Sequence, residues 1–331
     1  MSENSKIEWC HHTFNGWIGC TKVSPGCLNC YAERDNARRK WNKLGWGKGV
    51  PRHRTKTWGD PVRWNKQASK EGRAIHYATH ATYMPEIRPR VFCSSLSDWL
   101  DDEVPIEWLA DLLELIRTTP NLDWLLLSKR PGKWRPRLER VMEETCWNLE
   151  LVDWVYQWLG QVSTRALLPV APVPPANVWI GTTVEDQQRA DERIAQLLSI
   201  PAKVRFLSCE PLLGPVNLGF SCSFASNAYR SYSLRDLDWV ICGGESGPGA
   251  RPMQAAWARS LRDQCQAVDV PFLFKQWGEW LPQCQYPDII ADIDPDNWCH
   301  AASRDGGPTR HIGKKNAGRL LDGKEWNGYP Q

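Results

Sequence analysis

The chain has 331 residues, 42% of them hydrophobic, with 41 Lys or Arg against 38 Asp or Glu and a formal charge of +3. A chain of this length buries about 75% of its unfolded surface, which excludes a scaffold dependent on disulfide staples. No run approaches the ~18 apolar residues of a membrane helix, and the polar opening Met1-Ser2-Glu3-Asn4-Ser5-Lys6 lacks an apolar leader, so no membrane association and a reducing, cytoplasmic location are expected.

After a polar lead-in over 1–12, Thr13 to Gly19 reads as a short first strand delivering a cysteine loop. In Gly19-Cys20-Thr-Lys-Val-Ser-Pro25-Gly26-Cys27-Leu-Asn29-Cys30-Tyr31, three thiols fall within one segment bent by Pro25-Gly26. Soft sulfur at that density points to a metal site with Cys20, Cys27 and Cys30 as ligands. Closed zinc and iron–sulfur sites take four protein ligands, so three leave one metal position open. The alternative is a structural zinc site completed by Cys10, His11 or His12.

Ala32 to Leu44 then reads as a basic helix, and 45–89 shows no clean periodicity. The segment 34–73 holds thirteen Lys or Arg against Asp35, Asp60 and Glu71, interleaved with Trp41, Trp46, Trp58 and Trp64. Cations with interleaved aromatics fit a nucleic acid, the cations neutralising phosphates and the rings stacking on bases. A solvated basic surface or a docking face for an acidic partner protein fits the same composition. A second basic cluster, Lys129, Arg130, Lys133, Arg135, Arg137 and Arg140, follows downstream.

Six apolar runs come next: Arg90–Ser95, Asp123–Ser128, Asn177–Thr182, Lys203–Ser208, Asp238–Gly243 and Val270–Lys275. Helical patterns separate them at Ile106–Thr118, Gln187–Ser199 and Ala255–Ala267, the signature of parallel βαβ units. The expected fold is therefore α/β, a partial or complete TIM-like (β/α) barrel in a single domain over 1–331, with an open doubly wound sheet as the alternative. Basic residues insert at 34–89, a Trp- and Pro-rich stretch at 146–176, and 276–331 forms a C-terminal extension.

Barrel active sites are assembled from strand carboxyl ends, and each run here ends in polar residues. These are Ser95, Ser97 and Asp98; Ser128, Lys129 and Arg130; Thr182, Thr183 and Glu185; Ser208 and Glu210; Gly243, Gly244 and Glu245; and Lys275 and Gln276. Some serve only as helix caps, as Ser97 or Asp98 would. The glycine-rich Gly243-Gly-Glu-Ser-Gly-Pro-Gly249 permits close backbone approach to a ligand and is not a Walker A loop, since no Gly-Lys-Ser/Thr follows.

The cysteine loop resembles that of the radical S-adenosylmethionine superfamily, with Cys-x6-Cys-x2-Cys in place of the commoner Cys-x3-Cys-x2-Cys and Tyr31 after the last cysteine. Leu126-Leu-Ser128-Lys129 and Gly181-Thr-Thr-Val-Glu185, leading into Gln187–Arg193, resemble the spore photoproduct lyase branch. Closer still is the resemblance to a phage-associated family of uncharacterised three-cysteine proteins. It is carried by Gly19–Tyr31, Phe92–Leu100, Ser128-Lys-Arg-Pro131, Ser208–Pro215, Gly243–Pro252, Phe274–Gly278 and Ala317–Gly323. The resemblance implies a [4Fe-4S] cluster on Cys20, Cys27 and Cys30, S-adenosylmethionine on its open iron, and an electron donor. By position it places Ser95, Ser97 and Asp98 near the methionine amino group and Lys129 near its carboxylate or a ribose hydroxyl. Tyr31, Ser128, Thr182, Glu185, Gly243 and Gly244 join them as candidate cofactor contacts, and Glu210, Glu245 and Lys275 as candidate acid–base groups. The expected activity is hydrogen abstraction from a nucleic acid or nucleotide. A zinc-stabilised nucleic-acid-binding protein and a radical enzyme acting on a peptide or partner protein are the alternatives.

Overall fold

A computed structural model describes residues 3–79, 88–160, 171–219, 221–223, 230–285 and 307–330. The parts of the expected insertions at 80–87 and 161–170, and of the C-terminal extension at 286–306, lie outside the described residues. In chain order the elements are β1 (His12–Thr13), β2 (Trp17–Ile18), α1 (Tyr31–Arg39), β3 (His53–Arg54), α2 (Gly59–Thr79), β4 (Arg90–Cys93), α3 (Ile106–Arg117), β5 (Asp123–Ser128), α4 (Trp134–Glu144), α5 (Leu149–Leu159) and β6 (Val178–Thr183). They continue as α6 (Gln187–Leu198), β7 (Val204–Cys209), β8 (Ser221–Ser223), β9 (Arg230–Tyr232), β10 (Trp239–Gly243), α7 (Ala255–Gln266), β11 (Phe272–Gln276), β12 (Trp280–Pro282), β13 (Thr309–His311) and α8 (Lys314–Ala317).

The six apolar runs all become strands, because side chains on both faces are buried. Trp124, Leu125 and Leu126 of β5, and Val240, Ile241 and Cys242 of β10, are fully buried. Such continuous burial belongs to parallel strands covered on both sides. The sheet order is β1-β4-β5-β6-β7-β10-β11. The fold is thus mixed α/β around a parallel seven-stranded sheet, and among the described residues no helix is long and apolar enough to cross a membrane.

The chain forms two compact units, 1–22 with 35–181 and 199–203, and 23–34 with 182–198 and 204–331. In the first, β1 pairs with β4 (Thr13 opposite Phe92) and β4 with β5 (Phe92 opposite Leu125). α3 buries Leu109, Leu112, Leu113 and Ile116 beside α4 and α5. In the second, β10 lies between β7 and β11, Val240 opposite Leu207 and Phe272, with a register shift at Cys242/Gly243.

Three local expectations are corrected. The run 13–19 is two strands: β1 joins the sheet, then buried Asn15 turns the chain by accepting the Leu96 amide (2.7 Å) and donating to Ser95 Oγ (2.9 Å), and β2 pairs antiparallel with β3. The basic helix stops at Arg39, because Lys40 adopts φ 55°. The stretch without periodicity contains the 21-residue α2, whose inner face is Pro61, Trp64 and Ala68. In the 146–176 segment, α5 starts where Asn148 Oδ1 accepts the Leu151 amide and ends at Gly160, φ 66°. That left-handed turn disfavours any side chain.

Candidate metal centre and the strand ends that hold it

All three cysteines lie outside any disulfide and are of intermediate exposure. Cys20 belongs to the first unit, Cys27 and Cys30 to the second. In each unit the cysteine segment is fastened to strand carboxyl ends.

In the first unit the fastener is Arg130, just beyond β5. Its guanidinium donates to the Thr21 carbonyl at 2.6 Å, to Asp98 Oδ2 at 2.7 Å and to Cys20 Sγ at 3.7 and 3.8 Å. Asp98 is buried, and its other bonds come from Ser128 Oγ (2.7 Å), the Leu100 amide (3.0 Å) and the Lys129 amide (2.9 Å). Asp98, Ser128 and Lys129 are thus brought together, with the Asp98 carboxylate engaged in holding the loop. Ser95 is tied to Asn15, whereas Ser97 Oγ is buried without a hydrogen-bond partner. Burial and the nearby Asp98 carboxylate push the Cys20 thiol up to about 12, with Arg130 opposing them. A cation donating to a sulfur favours the thiolate, the form that binds metal.

In the second unit two carboxylates, each matched to an arginine, grip the segment 24–29. Glu185, wholly buried after β6, pairs with Arg193 Nη1 at 2.7 Å and accepts a short hydrogen bond from Ser24 Oγ. A Cβ on Gly26 would lie 2.5 Å from Glu185 Cγ, so the turn is seated directly on this side chain. Glu245, after β10, takes Arg251 Nη2 at 2.6 Å, Arg251 Nε and its amide at 2.8 Å each, and Asn29 Nδ2 at 3.1 Å. Asn29 Nδ2 also donates to the Gly249 carbonyl at 2.7 Å, and Arg251 Nη2 to the Pro25 carbonyl at 3.1 Å. Burial acts to raise the Glu245 pKa, but the Arg251 and Asn29 hydrogen bonds outweigh it and the net shift is downward.

The remaining expected residues fall around these clamps. Thr182 and Thr183 are buried in β6, with the Thr183 carbonyl accepting Arg193 at 2.7 Å. Tyr31 opens α1, 45% exposed. Glu210 and Lys275 meet at 3.0 Å, and a Cβ on Gly243 would lie 2.5 Å from Glu210 Oε1. A Cβ on Gly244 would collide with the Trp277 carbonyl oxygen, so close backbone approach explains this glycine without a ligand. The sequence reading overlooked Ser24, Asn29, Arg193 and Arg251 as functional positions. Their only signal was adjacency: two lie inside the cysteine loop, and Arg251 ends the glycine-rich loop of Glu245.

The zinc alternative would add Cys10, His11 or His12 to the cysteines. Cys10 is buried, and the Nδ1 atoms of His11 and His12 accept the Arg90 and Asn4 amides at 2.8 and 3.4 Å. Among the described residues no group of three His, Cys, Asp or Glu side chains is gathered for a metal ion. In kind, the donors fit a thiophilic group: three unbridged thiols, one with a guanidinium at its sulfur.

Neither a curated protein nor a solved structure matches the chain. A family model matches residues 4–330, nearly the full length, and the chain belongs to that family, described as a protein of unknown function, DUF5131.

Proposed function

We propose that this chain is a radical S-adenosylmethionine enzyme on a partial barrel, in which Cys20, Cys27 and Cys30 hold one [4Fe-4S] cluster and leave one iron for S-adenosylmethionine. The observation that carries the reading is the cysteine segment itself, with three thiols outside any disulfide, which is fastened in each unit to the carboxyl ends of parallel strands. Once bound, the cluster and S-adenosylmethionine supply a 5′-deoxyadenosyl radical through one-electron cleavage of the sulfonium.

The chain's own residues position and shield. Arg130 holds Cys20 and donates to its sulfur, and hydrogen bonds to ligand sulfurs tune the potential of such groups. Glu185 and Glu245 hold the Cys27–Cys30 turn through Ser24 and Asn29. Lys275 and Glu210 form a pair able to pass a proton between Nζ and Oε1. The substrate class is a nucleic acid or nucleotide, supported by the charge excess of 34–73, and an external electron donor is required.

Anaerobic reconstitution with iron and sulfide tests the reading. It expects about four irons per chain, 5′-deoxyadenosine on adding reductant and S-adenosylmethionine, and loss of both in Cys20→Ala, Cys27→Ala and Cys30→Ala. A colourless protein holding one zinc and releasing no 5′-deoxyadenosine overturns it.

A further inference from the structure

The last turn of α1 and the exposed loop after it, 36–52 in the first unit, are fixed almost wholly from inside by polar side chains. Asn36 Oδ1 accepts the Asn42 amide at 2.7 Å, and Asn36 Nδ2 donates to the Asn42 and Gly45 carbonyls at 3.2 and 3.3 Å. Asn42 accepts the Leu44 amide at 3.1 Å and donates to the Pro51 carbonyl at 2.9 Å. Arg52, its side chain wholly buried, donates to the Gly47 and Val50 carbonyls at 2.9 and 2.8 Å and is neutralised by Asp101 at 2.7 Å. Glu103 accepts the Gly49 amide at 2.7 Å. Gly45, Gly47 and Gly49 have φ of 111°, 109° and 75°, yet a Cβ on Gly47 or Gly49 would meet nothing within 4 Å. The backbone path, and not packing, therefore requires those glycines.

Burying two asparagines and an arginine under a surface loop is costly unless every polar atom is matched, as it largely is here. The result is a fixed outer face. Arg39, Lys40 and Lys43 are exposed on it and take part in no ion pair among the described residues, Lys48 is exposed within the field of Glu103, and Arg38 leans on Asp35 at 3.5 Å. The Arg39 guanidinium lies 5.0 Å from the Trp41 ring centre, and Trp41 and Trp46 are half-exposed.

We infer that this loop is a preformed docking surface for the phosphate backbone of a single-stranded nucleic acid, with Arg39, Lys40, Lys43 and Lys48 on phosphates and Trp41 as a stacking platform. An acidic protein fits less well, since interfaces between proteins need an apolar centre and the loop's one strongly exposed large aliphatic is Leu44, at 68%. A planar cation against an indole is an arrangement that a base can extend. The inference rests on the nucleic-acid substrate class proposed above and narrows it to a surface and a strand form, with no metal entering it.

The test uses the full chain, a labelled DNA single strand of about 20 nucleotides and fluorescence anisotropy across a salt series. Four phosphate contacts on a single strand give a slope of log K against log salt of about −2.8, so affinity falls about 50-fold between ~50 and ~200 mM salt. Arg39→Ala/Lys43→Ala/Lys48→Ala should flatten the slope to about −0.7, while Lys203→Ala, an exposed lysine elsewhere in the same unit, leaves it unchanged. Asn42→Ala removes an inner anchor and no charge, and should weaken binding about fivefold, the cost of ordering one side chain. A flat response of the parent protein, an unchanged slope in the triple variant, or equal competition by polyglutamate overturns the inference. Iron content measured on the same samples keeps this outcome separate from that of the cluster.

Discussion

The grip on the Cys27–Cys30 turn makes an asymmetric demand on its two charged partners. The Glu245 side chain is 6% exposed and that of Arg251 30% exposed. Arg251→Ala leaves a buried carboxylate without its cation, a change that costs about 3–5 kcal/mol. Glu245→Gln leaves an arginine that still reaches water and one amide oxygen for the three donors now on Oε2, with its NH2 facing Arg251 Nη2, at about 1–2 kcal/mol. The difference of about 2 kcal/mol corresponds to roughly a 30-fold difference in local opening. Hydrogen exchange at the Cys27, Leu28 and Arg34 amides reads that opening, because they donate within the turn to Ser24, Pro25 and Cys30 carbonyls at 2.9, 3.1 and 3.1 Å. Arg251→Ala should lose far more protection than Glu245→Gln, and the double variant should recover part of the loss by removing the unpaired charge. Equal losses in the two single variants, or a double variant worse than both, would refute the electrostatic account.

Acid should act on the same clamp. The folded Glu245 carboxyl titrates below its ordinary value of 4.5, so its contribution is complete above that value and is lost as pH falls through the depressed one. Protection of the turn should therefore hold from neutral pH down to that range and then decline, a decline absent from Glu245→Gln; the same decline in that variant would assign it to other groups. Gly26→Ala should loosen the turn by about 1–3 kcal/mol, because the new Cβ would lie 2.5 Å from a Glu185 side chain that Arg193 prevents from yielding. Unchanged exchange at Cys27 would show that the turn has slack. Gly243→Ala should drive Glu210 off Lys275, read as faster labelling of Lys275 by an amine-reactive reagent. Labelling at the parent rate would show that the pair survives.

The strands were legible because burial on both faces writes a continuous apolar run, as in Trp124-Leu-Leu-Leu127 and Trp239-Val-Ile-Cys242. Helix α2 was hidden by its content: Pro61, Trp64 and Ala68 do keep a helical spacing, but Lys66, Lys70 and Arg73 around them read as a basic tract. The first strand was read as continuous because nothing local announces that Asn15 will turn the chain. Its partners, Ser95 and Leu96, lie about eighty residues on. The same limit hid the clamps. Ser24 and Asn29 look like ordinary turn residues until Glu185 and Glu245, more than 160 residues away, are brought beside them.

Residue type alone placed Asp98, Glu185, Glu245, Glu210 and Lys275 in one class of strand-end polar groups, and their partners now divide that class. Asp98 spends its hydrogen bonds on Arg130, Ser128 and two backbone amides, Glu185 on Arg193 and Ser24, and Glu245 on Arg251 and Asn29. A carboxylate whose oxygens are all engaged by fixed donors is held immobile, which suits holding a loop. Glu210 and Lys275 differ, since they face each other past a glycine at the end of β10, and the Ser208 hydroxyl stands at 3.5 Å, the limit of a hydrogen bond. Each has the other as its charged partner, so neither is spent on fastening a loop. Among these strand-end groups, Glu210 and Lys275 are thus set apart by being paired with each other and not with a loop, and the Ser97 hydroxyl by being buried without a hydrogen-bond partner.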